Sequence, residues 1–452
     1  MKIHFKALGC RLNEAELEQW SQQFLAEGHT ISQDAETADL LLFNSCAVTH
    51  EASRKSRRLI NRLHQGNPQA KLVVTGCHAA LNPEEVADTL GVDLVISNAD
   101  KSSLPARVME SLDLPSMPLS ATEPSDIALY NRGRHRAFIK VQDGCRYRCT
   151  YCIVTLARGE EYSRSVSDIV TEIQRLHDQG IQEAVLTGVH VGGYGSDLGS
   201  SLYKLIEAIL IDTDLPRLRL ASVEPWDLPD NFFELFKNPR LMPHMHLPLQ
   251  SGADSVLRRM ARRCKTAEFA GLVQKARCAV PDFNITTDII VGFPGETDAD
   301  WEQTMAFVES TGFGHLHIFP FSPREGTKAA RLPDQIEKPV KQKRCKELAK
   351  LGEKMKLKVL QKTAEKNYNV LWEKPSEMDA NGLRRFTGYT PNYLKVEAQI
   401  PANYDLEYSI TPAQITGINH EKLLLQSEVG KEFYKDALPP LKIIPVKAIA
   451  NA

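Results

Sequence analysis

The 452-residue sequence contains no apolar run that approaches the roughly 20 residues needed to cross a bilayer. Its first residues are too charged, and their apolar stretch too short, for the core of a signal peptide. Glycine and proline, at 26 and 25 residues, are too few for a collagen-like or low-complexity chain. With 55 basic and 57 acidic residues, the composition excludes a uniformly basic nucleic-acid coat but not local basic surfaces. We therefore expect a cytoplasmic globular protein with no membrane segment, whose thiols stay reduced.

The length is about three times that of a usual domain, so two or three domains are expected. Nine cysteines in a protein with reduced thiols indicate metal ligands or reactive groups rather than disulfides. Six of them lie at informative positions, three within one short segment and three after predicted strands.

Residues 1–111 alternate short apolar runs with amphipathic segments, which predicts an open α/β sheet with helices on both faces. The predicted strands are 3–8, 40–44, 72–75 and 94–97, and the predicted helices are 13–27, 51–65 and 83–90. Residues 112–130 are rich in proline and serine and lack periodicity, which predicts a linker.

Residues 131–333 repeat the strand–helix alternation, which predicts a partial (β/α)6 barrel with its site at the carboxyl ends of the strands. The predicted strands are 137–141, 183–187, 217–222, 244–247, 284–291 and 315–319. The predicted helices are 167–179, 203–211, 231–236, 253–262, 266–280 and 298–311.

Residues 334–366 are predicted to form a basic linking helix. Eleven Lys or Arg and three Glu lie within 338–366, with an apolar face formed by Leu348, Leu351, Met355 and Val359. Residues 367–440 are predicted to form a small all-β domain. Its predicted strands, 368–372, 394–400, 407–411 and 420–425, lie between turns rich in Gly, Pro and Asn.

The strongest local signal is the spacing CxxxCxxC formed by Cys145, Cys149 and Cys152, here called the loop cysteines. Structural zinc sites close with four protein ligands, usually in two pairs far apart in sequence, and no fourth ligand is near here. A 4Fe–4S cluster held by three thiolates keeps one iron open for another ligand. The spacing therefore predicts a 4Fe–4S cluster, the alternative being three incidental thiols.

Cys10, Cys46 and Cys77, here called the sheet cysteines, each lie just past the end of a predicted strand. In a doubly wound sheet these ends converge on the ligand crevice, so the three thiols could meet in space. Taken alone, they are equally well explained as small apolar side chains packed against the sheet, because free cysteine is often buried.

In combination these features resemble the methylthiotransferase family of radical S-adenosylmethionine (SAM) enzymes over essentially the whole chain, and Tyr151 before the last loop cysteine agrees with this. The resemblance implies an N-terminal Rossmann-like domain, a radical SAM barrel and a C-terminal domain similar to the RNA-binding TRAM module. It implies a 4Fe–4S cluster on the loop cysteines that cleaves SAM to a 5′-deoxyadenosyl radical. It also implies a second 4Fe–4S cluster on the sheet cysteines, where sulfur is held and methylated by a second SAM. The partners that it implies are tRNA, a sulfur donor and a flavodoxin-like electron donor.

Several segments look like the family branch that acts on N6-threonylcarbamoyladenosine beside the tRNA anticodon: 8–13, 44–49, 54–58, 74–77 and 388–393. The resemblance therefore implies methylthiolation of that nucleoside at C2. Isopentenyladenosine in tRNA and an aspartate of a ribosomal protein are the alternative substrates. A non-catalytic RNA-binding iron–sulfur sensor is the alternative of another class. No acid or base residue is predicted, because no general base could deprotonate adenine C2 at useful rates near neutral pH.

The ends of the barrel strands carry sequences similar to those that surround SAM in the family, where glycines permit close approach of the backbone to a ligand. SAM contacts are therefore predicted for Thr187, Gly188, Ser222, Glu224 and Gln250, the alternative being ordinary turn chemistry.

A polyanionic RNA needs neutralising cations. The candidate surfaces are 54–62, 132–136, 258–265 and 338–366, although charge runs are often solvated helix faces. In the all-β domain, charge and aromatic groups suited to splayed-out bases combine in Arg384, Arg385, Tyr389, Asn392 and Tyr393.

The remaining cysteines, Cys264, Cys278 and Cys345, lie in helical patterns and are predicted only to pack. The histidines show no ligand spacing, and His244 and His246, on one strand face, are interpreted as structural.

Overall fold

The computed structural model describes residues 1–112 and 136–436. The chain divides into two compact units between Val359 and Leu360. The predicted linker beyond residue 112 and the candidate basic residues 132–135 lie outside the described residues. In the described part of the chain, every helix is too short or too polar to span a bilayer.

The first unit begins with a parallel sheet of five strands: β1 (Lys2–Ala7), β2 (Thr30–Ile31), β3 (Leu40–Ser45), β4 (Lys71–Gly76) and β5 (Leu94–Val95). Their order in the sheet is β2-β1-β3-β4-β5. Connecting them, or following β5, are α1 (Arg11–Ala26), α2 (His50–Gly66), α3 (Cys77–Leu81), α4 (Pro83–Ala87), the 3-10 helix Asn98–Ser103 and α5 (Leu104–Ser111). The predicted open α/β sheet is confirmed. The elements β2, α3 and α5 were not predicted, because such short segments carry little periodic signal.

Helices cover both faces of this sheet, which is why all six residues of β3 are buried. Leu40 and Leu42 pack with Trp20 of α1 on one face. Leu41 packs with Ile60 of α2 on the other.

The second part of the first unit is the predicted partial barrel, and its strands are parallel. They are β6 (Arg136–Lys140), β9 (Glu183–Thr187), β10 (Arg217–Leu220), β11 (His244–His246), β12 (Asn284–Val291) and β13 (His315–Pro320). Two three-stranded sheets, β10-β9-β6 and β11-β12-β13, are joined by parallel bridges from Leu218 to Leu241 and from Ser222 to His246. A short antiparallel pair, β7 (Gln142–Asp143) and β8 (Tyr162–Ser163), flanks the loop cysteines.

The helices of this part are α6 (Val154–Arg158), α7 (Val166–Asp178), α8 (Leu202–Asp212), α9 (Asp254–Arg259), α10 (Thr266–Ala279), α11 (Asp298–Thr311) and α12 (Lys338–Gln361). The 3-10 helices are Val191–Gly193, Pro225–Asp227, Phe232–Lys237 and Ala329–Arg331. The predicted bounds 183–187, 284–291 and 298–311 agree with the structure to the residue. The predicted helix 231–236 is a 3-10 helix instead, and the predicted helix 253–262 ends at Arg259.

Alternation along the barrel strands separates an apolar outer face from a polar inner face. Leu186, Met245 and Ile285 belong to the outer core that packs under the helices. Leu348, Leu351 and Met355 of α12 join the same core, as its predicted apolar face requires. The inner face therefore carries the polar and charged residues between them, and the carboxyl ends of its strands meet at one end of the barrel.

The second unit is all-β, as predicted, and contains a closed barrel in the order β14-β15-β16-β19-β18. Its strands are β14 (Asn367–Trp372), β15 (Leu383–Tyr389), β16 (Lys395–Pro401), β17 (Tyr404–Asp405), β18 (Ile410–Asn419), β19 (Leu424–Val429) and β20 (Lys435–Asp436), with a 3-10 helix at Lys431–Phe433. The prediction omitted β15 and began the last strand too early, because residues 420–423 form a hairpin turn and only residues 424 and 425 belong to β19. In that turn the Lys422 backbone N–H donates to Asn419 Oδ1.

Candidate functional site

The loop cysteines follow β6 and β7 at the carboxyl end of the barrel. The Cys145 backbone N–H donates to the Gly159 carbonyl at 3.2 Å, and the Thr150 N–H donates to the Met260 carbonyl at 3.0 Å. Gly144, at φ +67°, leads into the loop. A Cβ added at Gly144 would lie 1.8 Å from the Glu160 carbonyl oxygen, so only glycine fits there. The three thiols therefore project from one short loop that is tied at both ends.

Burial raises the pKa of the Cys145 thiol to about 12 and that of the Cys152 thiol to about 11. Cys149 adds to both shifts, so the three sulfur atoms lie close together. Within residues 1–112 and 136–436, no group of His, Cys, Asp or Glu has the geometry for a single metal ion. A 4Fe–4S cluster requires wider spacing, because each thiolate binds a different iron atom. Bound iron would also displace the thiol protons that burial retains, so the loop cysteines fit a cluster.

The sheet cysteines follow three neighbouring strands, β1, β3 and β4, at the carboxyl edge of the sheet. Burial raises the pKa of the Cys46 thiol to about 11, and the nearby thiols of Cys10 and Cys77 add to the shift. Gly9, at φ +106°, lies against Cys46, and a Cβ there would be 2.6 Å from the Cys46 Sγ. The fold therefore brings the three thiols together around a backbone position that has no room for a side chain.

Helix α6 lies between the two groups of cysteines. It begins two residues after Cys152, and its Ala157 packs against Cys77 and Ala47. The side-chain amide of Asn98, beyond β5, donates to the Ala157 carbonyl. Both groups of cysteines are therefore built against the same short helix.

A buried cluster of charged side chains connects α1, α6 and the barrel. Glu16 accepts hydrogen bonds from Lys101 at 2.6 Å, Lys140 at 3.1 Å and Arg158 at 3.0 Å. Arg158 also donates to both carboxylate oxygens of Asp143, at 2.9 and 3.0 Å. None of these side chains is more than 9% exposed. We call these five residues the buried ion cluster, which holds three cations and two carboxylates.

The surplus positive charge of the buried ion cluster faces the sheet cysteines. Burial opposes ionisation of Arg158, but Glu16, Cys77, Asp143 and Cys10 hold its pKa well above the usual value. A 4Fe–4S cluster on three thiolates is anionic, so this charge suits it. Arg158 was not among the predicted site residues, because its partners are scattered along the chain.

All five residues predicted to contact SAM lie at the barrel end that carries the loop cysteines. Thr187 ends β9 and Gly188 follows it, Ser222 and Glu224 follow β10, and Gln250 follows β11. Gln250 adopts φ +79°, an unusual backbone conformation for a residue with a side chain. Such conformations cluster at ligand sites, where the surrounding structure holds them in place.

Glu224 has the clearest unfilled role among these residues. Its Oε2 is buried and has no hydrogen-bond partner among the described residues. Burial raises the pKa of Glu224. Its carboxylate in turn contributes to the raised pKa of the Cys145 thiol, so the two side chains are close. The carboxylate suits the ammonium or ribose hydroxyl groups of SAM beside the loop cysteines.

Arg262 belongs to the same site but was predicted only as part of the basic surface 258–265. Its guanidinium lies 4.3 Å from the centre of the Trp226 ring and donates to the Pro248 carbonyl. Burial opposes its ionisation, but Cys149 and Glu224 are near enough to raise the pKa of its guanidinium. This member of the charge run therefore faces the loop cysteines.

A second network that the sequence did not reveal surrounds His190, a buried residue beyond β9. Its Nδ1 is 2.8 Å from Glu161 and its Nε2 is 2.6 Å from Asp227. The Tyr147 hydroxyl donates to Asp227 at 2.9 Å, and its ring packs edge-on against His190. Burial opposes protonation, but the carboxylates Asp227, Glu224 and Glu161 raise the pKa of His190. The network supports the first half of the cysteine loop.

The residues predicted to bind RNA lie on or beside β15 in the second unit. Tyr389 and Tyr393 stack with ring centres 4.6 Å apart and planes 17° apart. Arg385 is exposed and lies on the same face of the strand as Tyr389, whereas Arg384 lies on the opposite face. Asn392 is buried, and its Oδ1 accepts a hydrogen bond from the Thr390 hydroxyl. The surface therefore carries an exposed arginine and a half-buried, stacked tyrosine pair, and Asn392 serves within the turn.

The three remaining cysteines differ from one another. Cys264 is buried in the loop before α10 and Cys345 is partly buried on α12, which agrees with packing. The expectation for Cys278 is wrong, because it is exposed on the solvent face of α10.

Comparison with known protein families gives two matches. Residues 139–308 match the Radical SAM superfamily. Residues 2–97 match Uncharacterized protein family UPF0004.

Individual relatives cover most of the chain. A "Threonylcarbamoyladenosine tRNA methylthiotransferase MtaB" from Thermotoga maritima is 38% identical over 380 residues, covering 82% of this chain and 86% of the relative. The protein of that name from Bacillus subtilis is 33% identical over 418 residues, covering 87% and 89%. A "tRNA-2-methylthio-N(6)-dimethylallyladenosine synthase" from Oceanobacillus iheyensis is 34% identical, covering 85% and 77%.

Among solved structures, the radical SAM methyltransferase TsrM from Kitasatospora setae, with cobalamin and a [4Fe-4S] cluster bound, is similar. It has a TM-score of 0.56 at 15% identity, covering 73% of this chain and 77% of that one. At this identity the likeness concerns the fold.

Proposed function

The chain belongs to the methylthiotransferase family of the radical SAM superfamily, and on this premise we propose that it adds a methylthio group to C2 of N6-threonylcarbamoyladenosine in tRNA. The observation that carries the choice of nucleoside is the 38% identity, over 380 residues, to a relative named for that nucleoside. A tRNA substrate implies a cytoplasmic site of action.

We assign the loop cysteines and the sheet cysteines as ligands of two separate 4Fe–4S clusters. When bound, the clusters and SAM supply the one-electron chemistry and the sulfur needed to replace the hydrogen at adenine C2. The chain's own residues bind and orient: Glu224, with Thr187, Gly188, Ser222 and Gln250, holds SAM. Arg262 lies over Trp226 beside Cys149 and supports the same region. A sulfur donor and a flavodoxin-like reductant are the further partners proposed.

The test is mass spectrometry of tRNA nucleosides from cells with and without the gene. Loss of 2-methylthio-N6-threonylcarbamoyladenosine from the deletion strain, and its return on complementation, is the expected result. Loss of the methylthiolated dimethylallyladenosine instead would assign the chain to the branch of the Oceanobacillus relative. If the tRNA profile is unchanged and a ribosomal protein instead loses the methylthio group on an aspartate, that aspartate is the substrate.

We predict that Glu224→Gln weakens SAM binding by about 10- to 100-fold, the usual worth of a hydrogen bond to a charged group. Equilibrium dialysis of labelled SAM against the reconstituted protein measures this change. The matched control is Asp230→Asn, because Asp230 is 99% exposed and pairs only with the surface residue Lys275. Equal affinity in Glu224→Gln and wild type would remove Glu224 from the SAM site.

We predict that Tyr389→Ala weakens tRNA binding by about 5- to 150-fold, since stacking of one base on an aromatic ring contributes about 1–3 kcal/mol. Fluorescence anisotropy with labelled tRNA measures the affinity. Tyr404→Ala is the control, because Tyr404 packs against Tyr434, away from the stacked pair. Equal losses in the two variants would contradict the assignment of RNA binding to the β15 surface.

A further inference from the structure

Four histidines from two strands that are far apart in sequence lie on the inner face of the barrel. His244 and His246 are on β11, and His315 and His317 are on β13. The strand β12 lies between them, with Thr286 beside both His246 and His315 and with Asp288 beside His317. The parallel register thus places the two His-x-His sequences on one surface.

The side chains on this surface are in contact. His246 Nε2 is 3.2 Å from Asp288 Oδ1, and its Nδ1 is 3.0 Å from the Thr286 hydroxyl. The rings of His246 and His317 lie 5.4 Å apart, and those of His317 and His315 lie 4.8 Å apart. His315 and His317 are exposed to solvent, so a ligand can reach them.

The rings of His315 and His317 are neutral at physiological pH, and a lysine lies near them. Although it is accessible, His315 is partly enclosed by protein, and this partial desolvation lowers its pKa to about 4, with His317, Lys356 and His246 adding to the shift. Lys356, on α12, is therefore near this group of imidazoles. Burial also lowers the pKa of His317, with His246 contributing. A histidine with a lowered pKa is neutral near pH 7, so it offers a ring N–H donor rather than a positive charge, and Lys356 is the cation near these rings.

The surface is continuous with the SAM residues and the cysteine loop. Ser222 pairs with His246 across the bridge between the two barrel sheets, and the Gln250 N–H donates to the Asp288 carbonyl at 2.8 Å. Asp288 also contributes to the raised pKa that burial gives Tyr151, the residue before Cys152, so these two side chains are near each other. A group bound to these histidines would therefore lie next to the reaction site.

We propose that His246, His315, His317 and Lys356 bind the carboxylate of the threonylcarbamoyl group on the target nucleoside, and that Asp288 accepts hydrogen bonds from its hydroxyl or ureido N–H. The inference rests on the proposed function. Carbamoylation of threonine through its nitrogen leaves the carboxylate and hydroxyl free, whereas a dimethylallyl group has neither. A site built from such polar groups rejects an analogue that lacks them, because its own groups are then left unpaired.

An RNA phosphate is the other anion that imidazoles and a lysine bind. Asp288 favours the threonylcarbamoyl group, because its hydroxyl and N–H groups can donate to a carboxylate, whereas a phosphodiester offers only acceptors. The threonyl substituent carries an anion and donors together, which matches a surface with a lysine, imidazole N–H donors and one carboxylate.

The test uses the reconstituted full-length protein and three anticodon stem–loops, carrying threonylcarbamoyladenosine, its methyl ester or adenosine. Dissociation constants come from fluorescence anisotropy under anaerobic conditions. The wild type should bind the acid about tenfold more tightly than the ester, as a charged hydrogen bond gives. In His317→Leu and Lys356→Met the ratio should fall close to one, and His317→Gln, which keeps an N–H donor, should retain part of it.

Lys354→Met is the matched control, because Lys354 lies on the same helix but pairs with Glu309 on the surface. Lys354→Met should change the dissociation constants of the three RNAs by the same factor. Iron content identical to wild type shows that a variant has folded, and the accessible Lys356→Met keeps the test open if His317→Leu does not fold. Equal weakening of all three RNAs by Lys356→Met would assign the lysine to phosphate and overturn the inference.

A wild type that modifies the threonylcarbamoyl RNA but does not distinguish acid from ester also overturns the inference, and leaves the proposed function standing. A wild type that never modifies that RNA, yet modifies the dimethylallyl form, overturns both.

Discussion

Replacing Glu16 with glutamine is expected to lower the free energy of unfolding by about 3–5 kcal/mol, the usual cost of removing one partner from a buried ion pair. Three cations surround this carboxylate at 2.6–3.1 Å. Without its charge, Lys140 and Arg158 keep Asp143 as a partner, whereas Lys101 keeps the neutral Asn44, and the surplus in the buried ion cluster rises from one positive charge to two. Urea titration of the apoprotein, followed by tryptophan fluorescence, measures the loss.

The control is Glu14→Gln on the same helix, since Glu14 pairs with Arg11 at the surface, where an ion pair contributes at most about 1 kcal/mol. The difference between wild type and Glu16→Gln should also depend on pH. Burial opposes ionisation of Glu16, but Arg158, Lys101 and Lys140 hold its pKa well below the usual range. The stabilisation is therefore present above the unfolded-state pKa of about 4.3, and is lost as the pH falls below it. Equal losses for the two variants at pH 7 would show that the buried ion cluster contributes no more than a surface pair.

The sequence predicted the elements whose signal is local. The strands 183–187 and 284–291 match to the residue because each is a short run rich in apolar and β-branched residues that is followed at once by a glycine. The strand β15 was omitted because Arg384, Arg385 and Gly388 interrupt its apolar pattern. Its strand conformation comes from pairing with β14 and β16, which is not a local property of those seven residues.

The candidate site divides in the same way. The two groups of cysteines could be predicted from the sequence. The loop cysteines have a recognisable spacing, and the sheet cysteines each follow a predicted strand. The buried ion cluster was not, because residues 16, 101, 140, 143 and 158 meet only when the sheet packs on the barrel. Charge runs also mislead: Arg262 and Arg263 of the predicted basic surface 258–265 lie over the rings of Trp226 and Tyr147.

The two groups of cysteines should separate two half-reactions. Cys149→Ala is expected to reduce 5′-deoxyadenosine formation to the background of the apoprotein, because the loop cysteines would no longer hold their cluster. Cys46→Ala should retain 5′-deoxyadenosine formation and lose methylthiolated product. The reason is structural: the loop cysteines stand on barrel residues tied to Gly159 and Met260, and none of those contacts involves the sheet cysteines. Anaerobic incubation with SAM and dithionite, followed by mass spectrometry of nucleosides, measures both products.

Iron analysis makes this separation decisive. Each variant should hold about half the iron of the wild type if the two groups of cysteines bind equal clusters independently. Cys278→Ala, at an exposed position on α10, controls for the loss of a thiol and should match the wild type in iron and in both products. Helix α6 makes the opposite outcome informative, because Ala157 packs on Cys77 only a few residues after Cys152. If Cys46→Ala halves the iron and also abolishes 5′-deoxyadenosine, the sheet cysteines must support SAM cleavage through α6, and the assignment of separate roles fails.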